Sequence, residues 1–246
     1  MLGDEDPGMA AAVTKLRVRD VLSDEEEAVL RGAVSEIREL PGGKVAVRAG
    51  EVLEHSTVLL EGLCCRYKDL ADGQRQIMEL HVTGDFLDLH SFLLKQLDHN
   101  VGTMTPVRLG LVPHSALRRI SEQHPHLTRL LWLSTLIDSA IHRERILSIG
   151  RRDAAARVAH LLCELYVRLE VVGLAADLRY KLAMTQADLA DASGLTSVHV
   201  NRTLKKLRDD GLLTFRGGEV VIHDWQELTR RAEFDTGFLH LDRRPR

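Results

Sequence analysis

Residues 184–213, MTQADLADASGLTSVHVNRTLKKLRDDGLL, read as two short helices joined by a tight turn. Thr185 is placed to cap the first helix, with Asp188 three residues on. Leu189 and Ala190 fall on its inner side, where a small alanine lets a second helix approach. Gly194 occupies the turn, in a backbone conformation that a β-carbon resists. Leu195 plugs the gap, and Thr196 caps a second helix whose Val200, Leu204 and Leu207 share one face. Ser197, Val198, Asn201, Arg202 and Lys205 are left on the outward face. Short residues at the start of that face and bases further along suit a helix entering the major groove of DNA. There Arg202 can donate two hydrogen bonds to a guanine, and Val198 can lie against a thymine methyl. Thr185, Thr196, His199, Lys205 and Lys206 are placed for phosphates, which position a helix without reading sequence. Residues 214–222 follow as two short strands turning at Gly217 and Gly218, a wing, and Asp224 with Glu227 begins a last short helix.

Charge supports this reading locally rather than globally. The net charge of the 246 residues is −3, which is unpromising for a partner of nucleic acid. Residues 179–216, however, carry seven basic side chains against four acidic, whereas residues 1–60 carry seven against twelve. A phosphate-facing surface therefore belongs near the C-terminal end. With 44% hydrophobic and 28% charged residues, the chain can fill real cores under a polar surface. It has no apolar run of membrane-spanning length. Its start, with Asp4, Glu5 and Asp6, is unlike a secretory signal, so a cytoplasmic protein is expected. Residues 1–20 are expected to be disordered or loosely ordered. Three cysteines, Cys64, Cys65 and Cys163, argue against a disulfide framework. The adjacent pair reads as two strand residues on opposite faces, with a redox pair as the alternative.

Working back toward the N-terminus, Ser23 and Glu26 form a capping box for a helix reaching about Ile37. Short apolar runs then recur at 44–47, 52–53, 57–61, 64–68, 74–80, 101–104 and 107–112, separated by turn residues. This spacing predicts a β-roll over 21–124. Pro125 opens a long helix over 125–150, in which Leu130, Leu133, Ile137, Ala140, Glu144 and Leu147 make a heptad seam for a twin helix. The fold class is thus α+β: a jelly-roll-like N-terminal β-roll, a long dimerisation helix, and a winged helix-turn-helix domain over 151–246.

With these parts in this order, the chain resembles the Crp/Fnr family of bacterial transcription regulators over roughly residues 22–222. The match is strongest over 185–213, and Gly84-Asp85-Phe86 resembles the turn before the family's short pocket helix. The resemblance implies a homodimer on a palindromic site of double-stranded DNA, a sensor domain with a small-molecule effector, and RNA polymerase as a partner. It places the base-reading set on Ser197, Val198, Asn201 and Arg202. Many members carry glutamate where this chain has Val198, so a different half-site is expected. It places the effector pocket at Phe86, Asp88, Leu89, His99 and Asn100. Cyclic-AMP-binding members use a glutamate and an Arg-Ser pair; here Leu89 stands at about the glutamate position, and residues 97–100 contain no arginine. An effector other than cyclic AMP is therefore expected. An N-terminal iron–sulfur centre is not expected either, because no cysteine precedes Cys64.

Two other readings compete. A β-roll with His55, His81, His90 and His99 could bind haem or a metal, and so resemble a cupin-like metal enzyme. No nucleophile elbow, phosphate loop or paired-histidine metal motif accompanies them, so no enzyme, cofactor or metal is expected. A dimeric protein-interaction module, with its polar helix face turned to protein, is the third.

Overall fold

The computed structural model describes residues 6–246, and Met1–Glu5 lie outside the described residues. The chain divides into two compact units. One holds the residues up to Tyr67 with Leu80–Ser139 and His240–Arg246; the other holds Lys68–Glu79 with Ala140–Leu239.

In chain order the elements begin with helices α1 (Pro7–Arg17) and α2 (Asp24–Gly32). Strands β1 (Glu36–Leu40), β2 (Val45–Val47), β3 (His55–Glu61), β4 (Leu63–Asp69) and β5 (Arg75–Val82) follow. After the short helix α3 (Ser91–Leu94) come β6 (Asn100–Thr103), β7 (Val107–Pro113), α4 (His114–Gln123) and α5 (Pro125–Arg151). The antiparallel strands form two sheets, in the orders β1-β7-β3 and β2-β6-β4-β5. This is the expected roll.

Strand β3 shows how the first unit is filled. Successive side chains point to opposite faces. Leu59 enters the roll with Val47, Cys64, Leu87, Val101 and Leu109. Val58 and Leu60 enter a second core on the other face, with Met9, Leu30, Leu117, Ile120, Leu127 and Leu130 from the helices. Both faces are covered, so β3 reads as a continuous apolar run rather than an alternating one. Each such leucine contributes roughly 1.5–3 kcal/mol by leaving water.

Two sequence expectations need correction here. Residues 7–17 of the N-terminal segment are helical. Asp6 caps α1 by accepting from Gly8 N at 2.9 Å, and Pro7 opens it. Met9, Ala12, Val13 and Leu16 line one buried stripe. The small residues are there for closeness: a β-carbon on Gly8 would lie 2.2 Å from the carbonyl oxygen of Leu60. The second correction concerns α2, which stops at Gly32, so residues near Ile37 belong to β1 instead. That strand lies at the end of its sheet beside β7, and its charged residues suit an edge.

The cysteines are buried thiols outside any disulfide, and Cys64 lies in the roll core. Burial, reinforced by neighbouring Cys65, raises the Cys64 thiol, which stays protonated at neutral pH. Among the described residues, no three His, Cys, Asp or Glu side chains converge as a metal site would require, and no helix is long and apolar enough to cross a membrane.

Helix α5 has 27 residues and carries two apolar stripes. Leu130, Ile137 and Ala140, three of the six expected seam residues, are buried against this chain. Leu133 and Glu144 are half-buried. The exposed stripe is instead Trp132 (65% exposed), Leu136 (51%) and Ile146 (72%), flanked by Leu147 from the expected seam.

The second unit continues with α6 (Ala154–Val171), β8 (Ala175–Ala176), β9 (Arg179–Lys181), α7 (Gln186–Ser193) and α8 (Ser197–Asp209). Strands β10 (Leu213–Arg216) and β11 (Glu219–Ile222), helix α9 (Trp225–Ala232) and a 3-10 turn (Thr236–Leu239) complete it. Helix α6 is its centre, with Val158, Leu161, Leu162 and Leu165 fully buried. Residues 172–177, expected as a loop, include a strand, and the wing is a four-stranded sheet in the order β10-β11-β9-β8.

Candidate nucleic-acid interface

Helix α7 begins as its sequence dictates. The Thr185 hydroxyl accepts from Asp188 N at 3.1 Å, and Thr185 N donates back to Asp188 Oδ2 at 2.9 Å. The same hydroxyl donates to Asp188 Oδ2 at 2.7 Å. The hydroxyl of Thr185, expected to lie near phosphate, is thus directed to this carboxylate. Burial pushes Asp188 up, but hydrogen bonds from Thr185 and Arg75 outweigh it and hold the carboxyl below its ordinary range.

Gly194 ends α7 with φ 61° and ψ 43°, the left-handed conformation the turn demands. Helix α8 then starts at Thr196, whose hydroxyl accepts from His199 N at 3.2 Å and keeps its own proton to offer. Val200, Thr203, Leu204 and Leu207 are buried. Ser197, Val198, Asn201, Arg202, Lys205 and Lys206 are exposed, with Val198 at 78%. The four residues expected to read bases therefore share one outward face with both lysines.

Several supporting residues escaped the sequence reading. Gln186, in the first turn of α7, accepts from Asn201 Nδ2 at 3.2 Å, so it borders the outward face. Arg157 of α6 donates to Ser193 O at 2.8 Å and to Ile149 O at 2.9 Å, tying the ends of α7 and α5 together. Arg231 of α9 holds Asp153 at 2.7 Å, and Asp153 caps α6 by accepting from Ala156 N at 2.9 Å. Arg231, His199, Arg202 and Lys206 line one open cleft of about 390 Å³ together with Asp153. None has a local motif; only the fold brings them together.

The expected effector-pocket residues separate. Phe86 and Leu89 pack into the core on the helical face of β3, while Leu87 between them enters the roll. Asp88 is fully buried and accepts from Thr57 N at 2.5 Å. His99 pairs with Asp98 at 2.9 Å and its ring lies 5.5 Å from that of His90. Asn100 accepts from Ala49 N at 2.9 Å. The buried cation of this region is Arg66 on β4. It donates to Leu87 O at 2.7 Å and to Asp138 Oδ2 at 3.0 Å.

Known proteins share this arrangement. A Crp-like helix-turn-helix domain matches residues 156–231, and a cyclic nucleotide-binding domain matches residues 37–124. The nitrogen fixation regulation protein FixK of Bradyrhizobium diazoefficiens is 31% identical over 171 residues, 68% of this chain and 69% of that protein. The chain belongs to the Crp/Fnr family. The transcriptional activator protein FnrL of Cereibacter sphaeroides is 23% identical over 87% of each chain. The structure of FixK2 from Bradyrhizobium japonicum superposes with a TM-score of 0.73 at 28% identity, covering 80% of this chain and 96% of that one. This Crp/Fnr protein is thus a transcription regulator with a helix-turn-helix DNA-binding domain, in a family for which homodimers on operator DNA are typical.

Proposed function

We propose that α8 reads a palindromic operator with Ser197, Val198, Asn201 and Arg202, while Thr196, His199, Lys205, Lys206 and Arg231 hold phosphates. The observation that carries this is the outward face of α8: an almost bare Val198 flanked by exposed Asn201 and Arg202, on a helix whose start is capped by Thr196. Two copies pair through the exposed stripe of α5, in which Trp132, Leu136, Ser139, Arg143 and Ile146 recur at spacings of 4, 3, 4 and 3. The chain acts as a regulator rather than an enzyme, in the cytoplasm, with RNA polymerase as its further partner.

The effector is a molecule other than a cyclic nucleotide. Arg66 is already held by Asp138 and two backbone carbonyls. The residues aligned with the family's nucleotide contacts are Leu89, turned into a core, and Leu97–Asn100, which offer a cyclic phosphate no arginine.

Selection of bound sequences from random duplex DNA tests the whole reading. An inverted repeat should emerge, bound with affinity that falls steeply as salt rises. Arg202→Ala should cost roughly 1–3 kcal/mol on that site and little on random DNA. Failure to enrich any sequence would overturn it.

A further inference from the structure

Residues 68–79 form a hairpin that clusters with the helix-turn-helix unit. Its turn is self-supporting: Leu70 N donates to Gln74 O at 2.7 Å, and Asp72 Oδ1 accepts from Gln74 N at 3.0 Å. Beyond it, Arg75 spans two carboxylates one turn apart on α7. Its Nε donates to Asp191 Oδ2 at 2.8 Å and its Nη2 to Asp188 Oδ1 at 2.7 Å. Gln76 Nε2 adds a bond to the backbone carbonyl of Asp191 at 2.7 Å. An arginine fork making two charged bonds to one helix fixes orientation as well as distance.

The location gives the contact its meaning. Arg75, Gln76 and Asp191 line a cleft of about 570 Å³ together with Leu195, Thr196 and His199, the turn and first residues of α8. Asp188 lies two residues from Gln186, which touches Asn201. Both carboxylates therefore sit beside the surface that meets phosphates, where uncompensated negative charge opposes binding. The base-reading side chains stay exposed while the contact is made, so it leaves the face open.

We propose that Arg75 is a positioning residue for DNA binding: it holds α7, and through the turn the start of α8, in the groove-entering orientation, and it cancels two carboxylates at the edge of the interface. The proposal rests on α8 being the reading helix. Nothing in residues 68–79 resembles a DNA-binding motif, and Arg75 lies more than 100 positions from its partners.

The test measures binding of full-length variants to the duplex that the wild-type protein selects from random DNA. Arg75→Glu should lose about tenfold in affinity, the combined effect of two surface ion pairs, with the loss narrowing as salt is raised. The double variant R75E/D191R should recover most of that loss, and Arg75→Gln should fall between. Thermal melting of each variant separates folding from binding. A merely structural hairpin residue would lower melting without charge-specific recovery. If Arg75→Glu binds within twofold of wild type, or the reversed pair recovers nothing while both variants fold, the proposal is overturned. If the wild-type protein selects no sequence at all, the reading of α8 falls as well, which distinguishes the two failures.

Discussion

Glu164 on α6 accepts from Arg145 on α5 at 3.2 Å while its other oxygen accepts from Arg168 at 2.9 Å. All three side chains are buried, and Glu164 is 1% exposed. A single carboxylate thus satisfies two cations across the α5–α6 junction. Desolvating three charges is expensive, and their mutual contacts offset it. Glu164→Ala would remove the carboxylate that two buried guanidinium groups share, with an expected cost of about 3–5 kcal/mol in denaturant unfolding. Replacing Arg145 by Met together with Glu164 by Gln should recover part of that loss, because it removes charge rather than orphaning it.

Two sites of the first unit should each lose stability as pH rises, against the opposite slope from His55 and His114, which burial holds below their ordinary range. Burial pulls His126 down, but hydrogen bonds to Asp20 at 3.2 Å and Glu26 at 2.7 Å outweigh it and raise the ring above its ordinary value. That stabilisation is complete below about pH 6.5 and is lost as pH rises through the raised value. Burial pushes Asp88 up to about 7, against hydrogen bonds from Thr57 and the charge of Arg66. Its neutral form is favoured in the fold, so stability falls as pH climbs from about 4 through 7. The stability difference between wild type and Asp88→Asn should shrink as pH climbs from about 4 to 7, and that between wild type and His126→Gln should shrink above about pH 6.5; differences independent of pH would contradict both assignments.

How much of this was legible in the sequence depended on how local each signal was. The helix-turn-helix announced itself because Thr185, Gly194 and Thr196 act within four residues of their partners. Helix α1 was hidden because Gly8 and its alanines look like poor core, and only the backbone of Leu60 explains them. Strand β1 was hidden because an edge strand can carry charges at most positions. The supports of the interface, Arg75, Arg157 and Arg231, are single arginines whose partners lie far along the chain or in another element, and periodicity carries no trace of such contacts. Helix α5 is the instructive case. It has two apolar stripes, and spacing alone cannot say which one meets its own chain.

That ambiguity yields a test on adjacent residues. Leu136 is exposed and Ile137 is 7% exposed, one position apart on α5. Leu136→Asp should break the dimer in sedimentation while leaving the folded chain intact. Ile137→Ala should instead cost about 2–5 kcal/mol of stability by leaving a cavity, with dimerisation preserved in the folded fraction. The reverse pattern would return the seam to Leu130, Ile137 and Ala140.

Val198 gives the sharpest handle on specificity. Its side chain stands 78% exposed near the start of α8, where a helix end reaches base edges. An isopropyl group there can contact a thymine methyl but neither donates nor accepts a hydrogen bond. Val198→Glu adds a carboxylate that accepts from cytosine N4 and repels the acceptors of guanine. The variant should therefore select a half-site differing at one position, with cytosine on the contacted strand favoured by roughly 1–3 kcal/mol over the wild-type base. Because the substitution touches no core residue, melting should be unchanged, and random-duplex affinity should fall only slightly from the added negative charge. Recovery of the same half-site by both proteins would mean that position 198 faces the backbone, and would move the reading face around the helix toward Asn201 and Lys205.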